Sequence, residues 1–195
     1  RQIKPDFARL ATEELDHGFR VKFKDKPHTA LGDTPVIVSA DADIAIAYYN
    51  DAGELCLWLV EHKLTEKEFT TCGGYDAAKG SSTHDCSRSM AEIMAAPTLC
   101  YYTYPCGYQF WAATQRQAGF FAHPARCGGC PFKGGMNQLW RNQLLAFSVE
   151  ESQAWSQYRH AFFSVVAHPD NHALDKTIAA YKALTTYAPT TGISA

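Results

Sequence analysis

No apolar run in this sequence is long enough to cross a membrane, and neither sign of charge is in excess. The first absence excludes a helical membrane span and makes membrane association unexpected. The second, a formal net charge of −2 over 195 residues, argues against a protein that coats nucleic acid. It leaves room for a local basic cleft, because the local field rather than the sum attracts a ligand. No basic region followed by an apolar stretch opens the chain, so no export signal is read and a cytoplasmic location is expected. Internal repeats are also missing. What is present, 46% hydrophobic and 19% charged residues, suits one buried core, and a single domain over 1–195 is expected.

The richest stretch is 39–63, SADADIAIAYYNDAGELCLWLVEHK. The NDAG turn joins two strand patterns, so the two strands are expected to form an antiparallel hairpin. The run LCLWLV is apolar without alternation, as in a central strand covered on both faces. A layered α/β/α domain follows. Asp43 opens the first strand and Glu61 and Lys63 close the second, which puts both acids at one end of the hairpin. Glu61 and Lys63 share a face by the two-residue period, while His62 points to the other.

Carboxylates in this setting suit Mg²⁺ or Mn²⁺, hard cations that take oxygen ligands. Asp43 and Glu61 are the expected metal ligands, with Asp41 as an auxiliary acid and the His62 carbonyl as a further oxygen. Such an ion polarises a phosphodiester oxygen and activates a water, and Lys63 would stabilise the developing negative charge. The plainer alternative is that Asp41 and Asp43 merely end a strand and Glu61 and Lys63 form a surface ion pair.

Elsewhere the patterns are more ordinary. A helix is expected over Asp6–Leu15, then a half-exposed strand or extended arm through Phe19, Val21 and Phe23. Cys86–Ala96 and Asn137–Glu150 also read as helices, and His160–Ala167 as a strand. Asn171 is placed to cap a helix reaching Leu184. The tail PTTGISA is expected to be a loose end. On the helix from Asn137, the side chains of Gln138, Arg141 and Asn142 share a face. They suit a phosphate or a brace for Lys63, and equally plain exposure to solvent. Arg141, Lys67 and Lys133 are candidate phosphate contacts. Tyr101, Tyr102, Tyr104, Tyr108 and Trp111 either stack on bases or, the commoner outcome, pack an irregular segment.

Seven cysteines occur, and all but Cys56 fall between Cys72 and Cys130. Cys56, inside an apolar strand, is expected to be a core residue. The clustering of the rest suits a metal site within a cysteine-rich insertion at 72–135. Cys127 and Cys130 have knuckle spacing, Cys72 and Cys86 are the expected distant partners, and Cys106 is the leading fourth ligand. Cys100 is expected to be packed. His84 and His123 are alternates. A redox pair at Cys127 and Cys130 is a further possibility.

Asp43-Ile-Ala-Ile, the turn, and Leu59-Val-Glu61-His-Lys63 together resemble the PD-(D/E)XK nuclease superfamily, the restriction-endonuclease-like fold. Ala42 stands where many members have proline. The runs WLVEHKLTEKEFTTCGG and CPFKGGMNQLWRNQLLA are similar to a bacterial restriction-endonuclease group within it. The resemblance implies an α/β/α core with a central mixed sheet, Asp43 and Glu61 as metal ligands, and Lys63 as the catalytic lysine. Members with a RecB-type core carry a glutamine, then a tyrosine four residues on; Gln138 fits the first position and Asn142 replaces the second. Glu13 or Glu14 offers an additional acid. RecB-type nucleases also carry four-cysteine [4Fe–4S] clusters, which implies such a structural cluster here, with zinc as the alternative. The implied activity is metal-dependent hydrolysis of DNA, with RNA left open. The alternative is a non-catalytic, metal-stapled nucleic-acid-binding or structural module. A homodimer would serve double-strand cleavage.

Overall fold

The computed structural model describes residues 6–11, 42–77, 83–122, 128–151, 153–186 and 190–193. Its sheet has five strands in sequence order: β1 (Phe7–Leu10), β2 (Ile44–Asn50), β3 (Leu55–Lys63), β4 (His160–Ala167) and β5 (Thr190–Ile193). The hairpin organises it. β2 and β3 are antiparallel, from Ile44 opposite Val60 to Tyr49 opposite Leu55. In the turn, Asn50 Oδ1 accepts from the Glu54 N–H at 2.8 Å, and Gly53 takes the left-handed φ of 76° that a side chain would resist.

β4 runs parallel to β3, with Glu61 opposite Val165 and Lys63 opposite Ala167. A parallel neighbour requires a crossover. Residues 64–159 supply it, including α1 (Gly73–Ala77), α2 (Met90–Ala95), α3 (Phe110–Arg116) and α4 (Met136–Glu151). α5 (Asp175–Leu184) follows β4. The sheet is therefore mixed and the fold is α/β. No helix among the described residues is long and apolar enough to cross a membrane.

Two expectations at the chain ends are overturned. Residues 7–10 form an edge strand paired with β2 rather than the start of a helix. Backbone pairing along the open edge of β2 outweighs a short apolar periodicity, and two side-chain contacts reinforce it. The Tyr48 hydroxyl donates to Asp6 Oδ2 at 3.0 Å, and the Arg9 guanidinium lies 3.9 Å from the Tyr49 ring centre. Within the tail, 190–193 pairs in parallel with Ser164–Ala167 of β4. The exposed edge of β4 offers backbone partners that no local pattern announces. The expected arm at 19–23 lies outside the described residues.

Two helix starts also differ. The helix expected from Cys86 begins at Met90, because Ser89 and Glu92 form a capping box: Glu92 N–H donates to Ser89 Oγ, and Ser89 N–H to Glu92 Oε2. Asn171 does not cap. Its amide instead donates to the Leu64 and Glu66 carbonyls at 3.3 and 3.0 Å, tying the segment after β3 to the start of the α5 region.

The core forms on one face of the sheet. Ala47, Leu57, Leu59, Phe163 and Val165 are buried there against α3, α4 and the aromatic segment before α3. Trp140 of α4 stacks on Phe132 with ring centres 4.1 Å apart and an interplanar angle of 3°, and Trp111 lies 5.0 Å from Trp140. Tyr102, Tyr108 and Phe110 continue the cluster by edge contacts. These aromatics pack; only Tyr104 of the expected base-stacking set is well exposed. On the opposite face Tyr48, Cys56, Val60 and Ser164 are buried, while Ile46, Trp58 and Phe162 are half-buried.

Candidate active site

β3 carries Glu61 and Lys63 on its core-facing side, at the end where its apolar run stops. Both are nevertheless buried, with residue exposures of 1% and 8%. A charged pair in that position must be satisfied internally. The Lys63 ammonium lies 2.8 Å from Glu61 Oε1. Gln138 Nε2 donates to the same oxygen at 2.7 Å, and Asn142 Nδ2 donates to Oε2 at 2.9 Å. Gln138 Oε1 in turn accepts from the Thr70 N–H at 3.0 Å. That backbone donor fixes the amide's orientation, since a flipped Gln138 would lose both bonds.

One step past the last registered pair of β2 and β3, Asp43 faces Glu61. Its Oδ2 accepts from the His62 N–H at 2.7 Å, holding the end of β3. Burial raises the Glu61 pKa. The hydrogen bond and charge of Lys63 oppose that shift, the Asp43 charge adds to it, and the Asn142 bond opposes it. The Asp43 charge adds to the cost of keeping the buried Glu61 ionised, and a cation between them would relieve it. Glu61 accepts three of the roughly four bonds a carboxylate can take, and Asp43 retains Oδ1. The donors are hard oxygens, so Asp43 and Glu61 fit Mg²⁺ or Mn²⁺.

The residues expected at the site are only partly brought together. Asp43, Glu61, Lys63 and Gln138 converge, and His62, expected to offer its carbonyl, contributes its N–H to Asp43 Oδ2. Asp41, Glu13 and Glu14 lie outside the described residues. Gln138 and Asn142 hold Glu61 rather than Lys63. Arg141 is 7% exposed with its guanidinium 5.4 Å from the Phe110 ring centre, so it is packed rather than presented to a phosphate. Lys67 and Lys133 are exposed. Thr70 and Phe69 escaped notice because nothing in their local sequence marks them. The Lys63 ammonium lies 5.8 Å from the Phe69 ring centre, and a Cβ on Gly135 would stand 3.4 Å from Phe69 Cβ. Phe69 and Thr70 thus lean on the start of α4, where Gln138 projects.

The Lys63 carbonyl accepts from the His168 N–H at 3.1 Å, leading the chain from the site into a cavity of about 340 Å³. Val165 and Ala167, the register partners of Glu61 and Lys63, form its floor, and His168, His172 and Lys182 stand around it. His160, with no catalytic partner expected, is bound to the opposite end of the sheet beside Glu54 and Glu150.

Of the cysteines, Cys56 is fully buried in β3 as expected. Cys72 and Cys130 are buried, and Cys86, Cys100 and Cys106 are half-buried. His123 and Cys127 lie outside the described residues. Among those described, no three Cys, His, Asp or Glu side chains stand in a ready-made metal cage.

No curated protein and no solved structure matches the chain. The family model for the PD-(D/E)XK nuclease superfamily matches residues 38–194, a span that includes the hairpin, the α4 helix and β4. A match of that extent, on a mixed α/β sheet with an acid opening β2 and an E-x-K closing β3, places this chain in the PD-(D/E)XK nuclease superfamily.

Proposed function

We propose that the protein is a metal-dependent nuclease that hydrolyses DNA phosphodiester bonds at Asp43, Glu61 and Lys63. The observation that carries this is the Glu61 carboxylate, buried yet bonded by Lys63, Gln138 and Asn142 while it faces Asp43. A buried carboxylate with three donors arranged around it has a fixed orientation, which a reaction at phosphorus needs.

When bound, a divalent cation at Asp43 and Glu61 would supply charge neutralisation and a lowered water pKa. The residues themselves do the rest. Gln138 and Asn142 keep Glu61 from rotating. Lys63, 2.8 Å from Glu61 Oε1, is the ammonium that would stabilise the negative charge growing on the oxygens of the scissile phosphate. Phe69 covers the lysine on one side. The cavity beside β4 receives the phosphate backbone, with Lys182, His168 and His172 as its contacts. Such contacts position the strand without reading its bases.

The test is cleavage of labelled linear, circular and single-stranded DNA, and of RNA, with Mg²⁺ or Mn²⁺, beside Glu61→Ala and Lys63→Ala. Cleavage that needs the metal and disappears in both folded variants supports the proposal and classifies the cut. Cleavage that survives in them overturns it. A folded protein that binds DNA with metal but cuts nothing supports the non-catalytic module instead.

A further inference from the structure

We propose that Cys72, Cys86, Cys100 and Cys130 form a four-thiolate centre for a thiophilic metal, zinc or an iron–sulfur cluster, that pins four chain segments behind the candidate active site. The inference does not depend on the nuclease reading.

Backbone contacts bring the four segments together without reference to any metal. The Cys130 N–H donates to the Cys86 carbonyl at 3.0 Å, and the Asp85 N–H to the Leu99 carbonyl at 3.2 Å. A Cβ on Gly129 would stand 3.4 Å from the Cys86 oxygen. The Tyr102 ring lies against Gly73 and Gly74, next to Cys72. The loops bearing Cys72, Cys86, Cys100 and Cys130 are therefore neighbours, although 58 residues separate the first from the last.

The thiols are close enough to feel one another's charge. Each of the six pairings among these four interacts electrostatically: Cys72 with Cys100, Cys86 with both, and Cys130 with all three. Cys106 interacts with Cys100 alone, and so stands at the margin. Cys127 lies outside the described residues, and of Cys100 and Cys106 it is Cys100, expected to be merely packed, that stands with the other three.

Cys72 and Cys130 are buried and Cys86 and Cys100 half-buried, and a thiophilic cation there would take the four sulfurs as thiolates. The thiols are not yet set as a cage. With the segments already fastened, only side-chain positions would have to change for the four sulfurs to hold a metal.

Position gives the centre its consequence. Cys72 follows Thr70 by two residues and Cys130 precedes Gln138 by eight, so the centre braces both ends of the Thr70–Gln138 hydrogen bond.

The full chain, purified anaerobically, would be assayed for zinc, iron and inorganic sulfide. It would then be alkylated before and after chelation, with each cysteine read by mass spectrometry. The expected result is about one zinc per chain, or iron with sulfide and visible charge-transfer absorbance. Cys72, Cys86, Cys100 and Cys130 should be protected together and released together by the chelator, while Cys106 reacts throughout. Cys100→Ser should lose the metal and Cys106→Ser keep it. Protein without zinc or iron, alkylation of the four thiols at unrelated rates, or loss of metal in Cys106→Ser but not in Cys100→Ser overturns the proposal. The alkylation pattern decides the matter even if the variants fail to fold.

Discussion

Asn142 and Gln138 stand one helical turn apart on α4 and grip opposite oxygens of the same carboxylate, Glu61. The spacing matters because i and i+4 side chains project from one face of a helix and can straddle a single group. Asn142 thus performs, with an amide, a holding task at the position where the sequence departs from the RecB-type pattern.

Removing that donor leaves Oε2 of a buried carboxylate without its hydrogen bond. Asn142→Leu is expected to cost about 1.5–3 kcal/mol of stability, the range for hydrogen bonds to charged groups. Urea denaturation should show a lower midpoint with an unchanged slope.

Lys63→Met should leave the fold intact in the presence of Mn²⁺ but lower kcat by about 10²–10³-fold, the usual effect of deleting one transition-state donor. KM should change little. Lys63→Arg should not restore the rate, because a planar guanidinium cannot take the place of a compact ammonium above Glu61. Steady-state cleavage kinetics would check both.

The raised Glu61 pKa has a definite sign in stability. The folded state holds this proton more readily than the unfolded chain, whose ordinary glutamate value is 4.5. By linkage, stability then falls as pH rises between the unfolded and the folded pKa, and is level above it. In the presence of EDTA, wild type should therefore gain on Glu61→Gln as the solution is acidified through that window. Unfolding free energies of both proteins across the acid range would reveal it; a gain on alkalinisation would contradict it.

Trp140 is wholly buried and joins Phe132, Trp111 and Phe110, and its indole N–H donates to Thr114 Oγ1 at 2.9 Å. Trp140→Ala should cost about 3–5 kcal/mol. Trp140→Phe should restore part of the packing and none of the hydrogen bond. Chemical denaturation with near-ultraviolet circular dichroism would separate the two contributions.

The hairpin was legible because its information is local: a turn signal between two strand patterns, with charge placed just beyond an apolar run. The same local record made α4 and β4 recognisable. The strands at 7–10 and 190–193 were not legible, since each exists by filling an open sheet edge made by residues far away. Asn171 misled for a similar reason. Its amide found the carbonyls of Leu64 and Glu66, which only the β3–β4 crossover brings near.

From sequence alone, then, came the acids and lysine at one end of a buried hairpin, because strand periodicity places side chains within a few residues of one another. Only the tertiary structure decided what surrounds them. Gln138 and Asn142 reach Glu61 across 77 and 81 residues, Arg141 turns to Phe110 instead, and the loops bearing Cys86 and Cys130 meet. Those choices depend on which helix faces which strand and on which loops meet. Packing sets them, and it is invisible to any pattern shorter than the fold.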